Sequence, residues 1–156
     1  MPLSSFDYRA QLIRPLIAHV KDAINCLLIE SNSSGSQPTF PFATYTIIDP
    51  FIAIQFEDSE NEPFECVISI TLHDDSSLDV LNLATKLRKS FATEKNLRKF
   101  RGLGIVIVSL EPTASRDTML TIDYERLAGF DLRVRTHDSF VDDTKEPIDN
   151  INLGGN

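Results

Sequence analysis

Apolar and charged residues alternate strictly near the end of the chain, between Ala128 and Arg135. One face of this segment carries Ala128, Phe130, Leu132 and Val134. The other face carries Gly129, Asp131, Arg133 and Arg135. A period of two predicts a β-strand whose apolar face packs on a core. The charged face is then either solvated or engaged by a partner.

The same reasoning predicts further strands earlier in the chain. They cover residues 40–48, 64–72 and 105–110, with a short strand from Leu27 and a weak extension of the sheet edge at 52–56. We expect Asp49-Pro50 to end the first long strand, because proline cannot donate to a ladder. The 105–110 segment is so apolar that we expect both of its faces to be covered. Residues 120–135 carry the last strand or strand pair.

Apolar residues at three-to-four spacing predict two main helices. The first covers residues 5–25, with a kink or restart where Pro15 takes the first helical position. The second begins at Ser76, which forms a capping-box-like start with Asp79, and runs to about Thr93. Residues 94–100 add another turn or a short helix.

The order of these elements lacks the regular strand-helix alternation of a parallel doubly wound sheet. Neighbouring strands joined by short loops favour an α+β fold instead. We therefore predict a mostly antiparallel sheet of four to five strands, with two main helices packed on one face. Residues 1–136 form a single domain, and residues 137–156 form an acidic C-terminal extension that is flexible or ordered by a partner.

Length and composition are those of an ordinary globular domain, with 156 residues and 42% hydrophobic content. The two cysteines, Cys26 and Cys66, lie among apolar residues, and we expect both to be small buried hydrophobes. Such cysteines fit a reducing compartment. No signal peptide or membrane-length apolar run is evident, so we expect a soluble protein made in a cytoplasm and no membrane partner.

The net charge of −8 argues against a general nucleic-acid binder, whose affinity comes from basic side chains on phosphates. The charges are also segregated. Residues 86–101 are basic, whereas residues 57–65 and 137–156 are acidic. Separate acidic and basic patches can complement a second copy of the chain. Each patch can equally be a solvated surface.

No segment has the pattern of an active site, and we predict no catalytic, cofactor-binding or metal-binding residues. The three histidines are far apart, and His73-Asp74-Asp75 has no second cluster at ligand spacing, so it is interpreted as a polar strand-to-helix turn. Gly102-Leu103-Gly104 lacks the flanking elements and the lysine of a phosphate loop. We therefore expect a protein that is not an enzyme.

Several short motifs resemble a known family. Pro41-Phe42-Ala43-Thr44-Tyr45 follows a Gln-Pro loop, a Gly-Ile-Val-Ile-Val strand begins at Gly104, and the Tyr-Glu-Arg-x-x-Gly-Phe-Asp strand begins at Tyr124. Together, from about Leu28 to Arg135, they resemble the tail terminator (neck, or head–tail joining) proteins of long-tailed bacteriophages.

The resemblance implies a structural virion protein of the tail neck, assembled in the cytoplasm of a host bacterium. Such α+β subunits close into a homo-oligomeric ring, usually a hexamer. The ring caps the major tail tube protein, ends tube growth and meets a head-completion or connector protein. DNA passes through its lumen without specific binding. The alternatives are another head–tail joining or tail-completion protein and, more distantly, a small bacterial α+β enzyme or ligand-binding domain.

The candidate interface residues for this role are all charged. They are Lys95, Arg98, Lys99, Arg101, Glu57, Asp58, Glu60, Glu125, Arg126, Asp131, Arg133 and Arg135. We expect the basic group at 86–101 to contact the acidic 57–65 loop of the next copy.

The charged strand and its flanks carry further expectations. Arg133 and Arg135 are directed toward a neighbouring subunit, the tail tube or water. Glu125 and Arg126 pair with a neighbour or with each other. Phe42 and Tyr45 are expected in the core rather than at an interface.

Overall fold

One mixed sheet with helices over one of its faces forms the framework of the computed structural model, which describes residues 6–55 and 59–144. Within these ranges the strands are β1 Leu28–Glu30, β2 Phe42–Ala53, β3 Pro63–Asp74, β4 Val106–Leu110, β5 Ala114–Ser115 and β6 Arg126–His137. Their order is β1-β2-β3-β6-β4, with β5 paired to β6, and every pair except β1–β2 is antiparallel. The predicted α+β class is confirmed, with slightly more strands than expected.

The helical segments begin near the predicted residues. They are a π-helical turn Arg9–Ile13, α1 Arg14–Ile24, α2 Ser77–Phe91 and α3 Glu94–Gly102. Pro15 lies in the first turn of α1, directly after the π-helical turn, so the predicted restart is confirmed. The Ser76 hydroxyl accepts a hydrogen bond from the Asp79 amide and caps α2. Thr93 caps α3 in the same way through the Asn96 amide.

Strand β2 contradicts one prediction, because it continues through Asp49-Pro50 to Ala53. Its pairing with β3 shifts register on both sides of Asp49, and these irregularities accommodate the proline. Strand β1 pairs with β2 only as far as Tyr45. In the described residues, Pro50 therefore lies on an edge of the sheet, where no neighbouring strand needs a hydrogen bond from its missing N–H.

Strand β4 contradicts another prediction, since the described residues cover only one of its faces. It pairs with β6 and forms an edge of the sheet as described, and Val106 and Val108 are 40% and 41% exposed. Its apolar run matches that of a central strand, but periodicity does not reveal which strands lie at an edge.

The core lies between the sheet and the helices. The inward residues of β3 and β6 are fully buried there, and they are Phe64, Cys66, Ile68, Ile70, Leu72, Ala128, Phe130, Leu132 and Val134. Burying a large apolar side chain contributes roughly 1.5–3 kcal/mol, so this inner layer is a main source of stability. Cys26 and Cys66 are both buried and free, as expected.

His19 of α1 is a buried polar residue within this apolar layer. It is 1% exposed and lies against the rings of Phe91 and Phe100, with its Nε2 atom 2.8 Å from the Ser90 hydroxyl. Its Nδ1 atom has no hydrogen-bond partner among the residues that the structure describes. Burial, aided by the charge of Lys99, lowers the pKa of His19 to about 4, so the ring is neutral at pH 7.

Phe42 and Tyr45 lie on opposite faces of the sheet. Phe42 is buried on the outer face, where it stacks between Phe40 and His73. Tyr45 is half-buried and packs against the core on the inner face. Among the described helices, none has the length and apolar character that crossing a membrane requires.

Candidate interaction surfaces

Arg133 and Arg135 project from the outer face of the sheet and share one carboxylate. Glu65 of β3 is paired directly with Arg135 in the register and lies diagonal to Arg133. Its Oε1 atom accepts from Arg133 Nε at 2.6 Å, and its Oε2 atom accepts from Arg135 Nε and Nη2 at 2.9 and 2.6 Å. The bonds from Arg135, and then those from Arg133, hold the pKa of Glu65 below its usual value.

This cluster changes what the two arginines can offer to a neighbour. The Glu65 side chain is 8% exposed, whereas those of Arg133 and Arg135 are 39% and 50% exposed. The carboxylate is therefore enclosed, and each arginine keeps an accessible edge. Whether that edge contacts another subunit or the tail tube stays a prediction. Glu65 itself, which belongs to the acidic 57–65 run, already has its partners within the chain.

Asp131, the third charge on this face, is paired with a residue that the sequence patterns did not single out. Arg116 donates to Asp131 Oδ1 at 2.9 Å and to the hydroxyls of Ser69 and Thr71 at 2.5 and 2.8 Å. Its guanidinium therefore crosses the outer face from β6 to β3.

Gly129 makes this crossing possible. A Cβ at that position would lie 2.1 Å from the Ile70 carbonyl oxygen and 3.1 Å from the Arg116 guanidinium carbon. Both contacts are closer than ordinary van der Waals contact, so a glycine is required here for close approach.

Glu125 and Arg126 do not pair with each other, which corrects one of the two expectations. Glu125 Oε2 lies 3.0 Å from Nδ1 of His73, whose Nε2 is 2.9 Å from the Thr44 hydroxyl. Arg126 donates to Asp117 Oδ2 at 3.2 Å. The two side chains face different partners, since neighbouring residues of an extended chain point to opposite sides.

Asp117 fixes the start of β6. Its Oδ1 atom accepts from the Leu127 amide at 2.7 Å, and this bond, followed by the pairing with Arg126, lowers the pKa of Asp117. Asp117 and Glu125 therefore tie down both ends of the loop at 117–125.

The basic group at 86–101 is divided between two roles. Arg88 donates to the carbonyl oxygens of Leu110 and Glu111, at 2.8 and 2.7 Å, and so holds α2 against the end of β4. The exposed basic residues of α3 form what we term the basic surface: Lys95, Arg98, Lys99 and Arg101. Arg98 also pairs with Glu94 one turn earlier in the helix.

Two acidic runs that are far apart in sequence come together beyond the end of β6. The Asn61 amide donates to Phe140 O at 3.1 Å, the Asp138 amide to Glu62 O at 2.9 Å, and the Asp142 amide to Glu60 Oε1 at 2.8 Å. We term this combined region the acidic surface, and its described acids are Glu60, Glu62, Asp138, Asp142 and Asp143. Glu57 and Asp58 lie outside the described residues, as does most of the extension predicted at 137–156.

The loop between β5 and β6 was missed by the sequence patterns. It presents four large apolar side chains that are 90%, 86%, 36% and 79% exposed, namely Met119, Leu120, Ile122 and Tyr124. A signal was present, because these residues form an apolar cluster within a segment rich in turn-forming residues. The sequence patterns place residues from 120 onward in the last strand or strand pair, whereas Met119 ends the preceding turn region.

Within the described residues, no group of three or more His, Cys, Asp or Glu side chains is arranged to hold a metal ion. Two open grooves flank β1. The larger has a volume of about 440 Å³ and lies between the π-helical turn and β2, whereas the smaller, of about 330 Å³, is bordered by His73 and Glu125.

Comparison with known proteins gives a clear family assignment. A family model described as phage neck terminator protein matches residues 10–156, which is nearly the whole chain. A search of the curated proteins finds no match. The match covers the sheet, all three α-helices and the charged outer face together. The chain therefore belongs to the phage neck terminator protein family, a structural family of the virion tail.

Proposed function

We propose that this protein closes into a ring, most simply a hexamer, that caps the phage tail tube and ends its growth. The ring then presents its other side to a head-completion or connector protein. Assembly takes place in the host bacterial cytoplasm. Family membership supports a structural role at the joint between head and tail, and the ring and its cap are our proposal.

The observation that carries the proposal is the separation of charge on a single domain. The basic surface lies on α3, in the helical layer, whereas the acidic surface lies beyond the paired ends of β3 and β6. Two different surfaces that complement each other join copies head to tail, and such contacts generate rings when the rotation closes. The outer sheet face contributes less to this charge separation, because its acids and arginines largely neutralise one another.

Passage of DNA through the lumen fits the overall charge. With a net charge of −8, the chain repels a duplex at long range instead of retaining it. We therefore propose transient passage of DNA without specific binding.

Native mass spectrometry of the full chain, with and without the tube protein of the same phage, tests the ring. The proposal expects a closed oligomer, either free or on tube ends. A chain that stays monomeric under both conditions would contradict it.

A second candidate role is that of another joining protein of the neck, which the family description also accommodates. The two roles differ in tube growth. A terminator stops the addition of tube protein, whereas a joining protein that acts later leaves the length of the tube unchanged.

A further inference from the structure

The loop at 117–125 exposes more apolar surface than its surroundings require. Met119 and Leu120 are 90% and 86% exposed, and Tyr124 follows at 79%. Single exposed apolar residues are normal on a protein surface, but several on one short loop are typical of a contact site.

The loop is also held in shape before any partner arrives. A turn is closed by the Ile122 amide donating to Thr118 O at 3.0 Å and the Glu125 amide donating to Thr121 O at 2.8 Å. Asp117 and Glu125 fix its two ends through Arg126 and His73. A preorganised loop loses little conformational entropy on binding, which favours affinity.

A groove of suitable size and character lies elsewhere on the same chain. Strand β1 has three residues and stops pairing at Tyr45, so no described strand pairs with the edge of β2 beyond it. The π-helical turn lies beside that edge, and the resulting groove has a mixed lining. Ile13, Tyr45 and Ile47 give it an apolar part, and its polar part is formed by Tyr8, Arg9, Glu30, Ser31, Asn32 and Thr46. Its volume of about 440 Å³ is within the roughly 300–1,000 Å³ of sites that enclose compact ligands.

We propose that Met119 and Leu120 of one protomer insert into this groove on the next protomer. The inference rests on the proposed ring, and it names the apolar contact that joins neighbouring copies. The loop lies between β5 and β6, whereas the groove lies between the π-helical turn and β2. The contact therefore joins two different surfaces and is heterologous, as ring closure requires.

Charge fixes the orientation of the inserted loop. Asp123 lies between Ile122 and Tyr124 on the loop, and Arg9 lies on the helical wall of the groove. Glu30 lies among the residues contributed by β1 and the segment that follows it. The loop therefore seats with Asp123 toward Arg9 and away from Glu30, since opposite charges attract and like charges repel at this range.

Cysteine cross-linking in the presence of tube protein tests the contact directly. Leu120→Cys places a thiol on the loop, and Thr46→Cys places one in the groove. The native Cys26 and Cys66 are buried and do not compete. The double variant should give a ladder of covalent oligomers after mild oxidation. A mixture of the two single variants should stop at dimers, because each chain then carries one half of the contact.

A control pair separates this contact from random collision. Leu78→Cys is also highly exposed but lies at the start of α2, so Leu78→Cys with Thr46→Cys should give no ladder. In parallel, Met119→Ser with Leu120→Ser should weaken assembly by at least about tenfold, as loss of central apolar anchors does. Leu78→Ser should leave assembly unchanged, and all variants should keep the wild-type melting temperature.

The outcomes distinguish this inference from the ring itself. If the rings persist in the Met119→Ser/Leu120→Ser variant and the Leu120–Thr46 pair gives no ladder, the loop contact is wrong and the ring stands. If Leu120→Cys cross-links to a cysteine-bearing tube protein instead, the loop contact between copies is again wrong. If the wild-type chain forms no oligomer with or without tube protein, the proposed function itself fails.

Discussion

Glu65 lies directly opposite Arg135 across β3 and β6, and its enclosed carboxylate binds both Arg135 and Arg133. Charge-assisted bonds of this kind are about twice as strong as neutral ones. The sequence pattern leaves this charged face either solvated or engaged by a partner. In the structure, one carboxylate offsets part of the charge of two guanidinium groups, so the arginines are already engaged within the chain before they meet any partner.

Glu65→Gln should destabilise the domain by about 1–3 kcal/mol, because two neighbouring guanidinium groups lose their shared anion. Chemical denaturation measures this loss. Glu62→Gln, on the acidic surface, is the matched control and should change the free energy of unfolding by less than about 0.5 kcal/mol. Equal stability of the two variants would show that the cluster contributes nothing.

Gly129→Ala should be strongly destabilising, by about 2–4 kcal/mol, because the new methyl group meets the Ile70 carbonyl and the Arg116 guanidinium. A methyl group added at Gly102, at the end of α3, would enter open space, so Gly102→Ala should be neutral or slightly stabilising. Thermal unfolding of both variants measures the loss of stability that each substitution causes. A Gly129→Ala protein with wild-type stability would contradict the close approach of the two strands.

Stability should fall as the pH drops from about 6.5 to 4, because His19 is harder to protonate in the folded protein than in the unfolded chain. Its contribution is complete above pH 6.5 and is lost progressively down to its folded pKa of about 4, by up to about 3 kcal/mol. Glu65 and Asp117 also lose their contribution as the pH falls, but at lower pH than His19, because hydrogen bonds in the folded protein lower the pKa of each carboxyl from its usual value.

Denaturation curves at several pH values measure how the free energy of unfolding depends on pH, and the His19→Phe variant provides the comparison. The variant should lose most of the dependence between pH 6.5 and 4 while keeping the acid-induced loss below about pH 4. An unchanged slope in His19→Phe would assign the dependence to other groups.

The inner sheet face was predictable and the outer one was not, for a physical reason. The apolar alternation of β3 and β6 identifies their buried sides, because the period of two is a local property of each strand. Which charged residues lie opposite each other depends on the register between strands, and register is a tertiary property. It places Glu65 beside Arg133 and Arg135, although these arginines lie nearly seventy residues further along the chain. Arg116 lies in a loop with no periodicity, so no pattern could single it out.

The position of a strand within the sheet is likewise not predictable from its local sequence pattern. Pro50 marks the end of a strand in sequence terms, but on the open edge of β2 it is tolerated. Strand β4 has the composition of a central strand and lies at the edge.

Reversing the basic surface should weaken assembly if α3 contacts the acidic surface of the next copy. Lys95→Glu with Lys99→Glu leaves the Arg98–Glu94 pair intact, whereas adding Arg98→Glu also places like charges one turn apart. Light scattering should show a smaller oligomer for both variants, at unchanged helix content by circular dichroism.

The control for this charge reversal is Lys86→Glu with Lys89→Glu on α2. These two lysines belong to the basic group at 86–101 but lie outside the basic surface of α3, so the variant should assemble normally if α3 alone supplies the contact. Introducing Glu62→Lys and Asp143→Lys on the acidic surface should restore assembly to the Lys95→Glu/Lys99→Glu variant. An oligomer of unchanged mass in all the reversed variants would show that α3 is not part of the interface.

The length of tail tubes assembled in vitro tests the central claim most directly. Tube protein is polymerised with and without the full chain, and the tubes are imaged by electron microscopy. A terminator should arrest elongation and form a ring at one end of each tube, so that tubes stop lengthening once the chain is added. Tubes that keep growing at the same rate, with no density at their ends, would contradict the account.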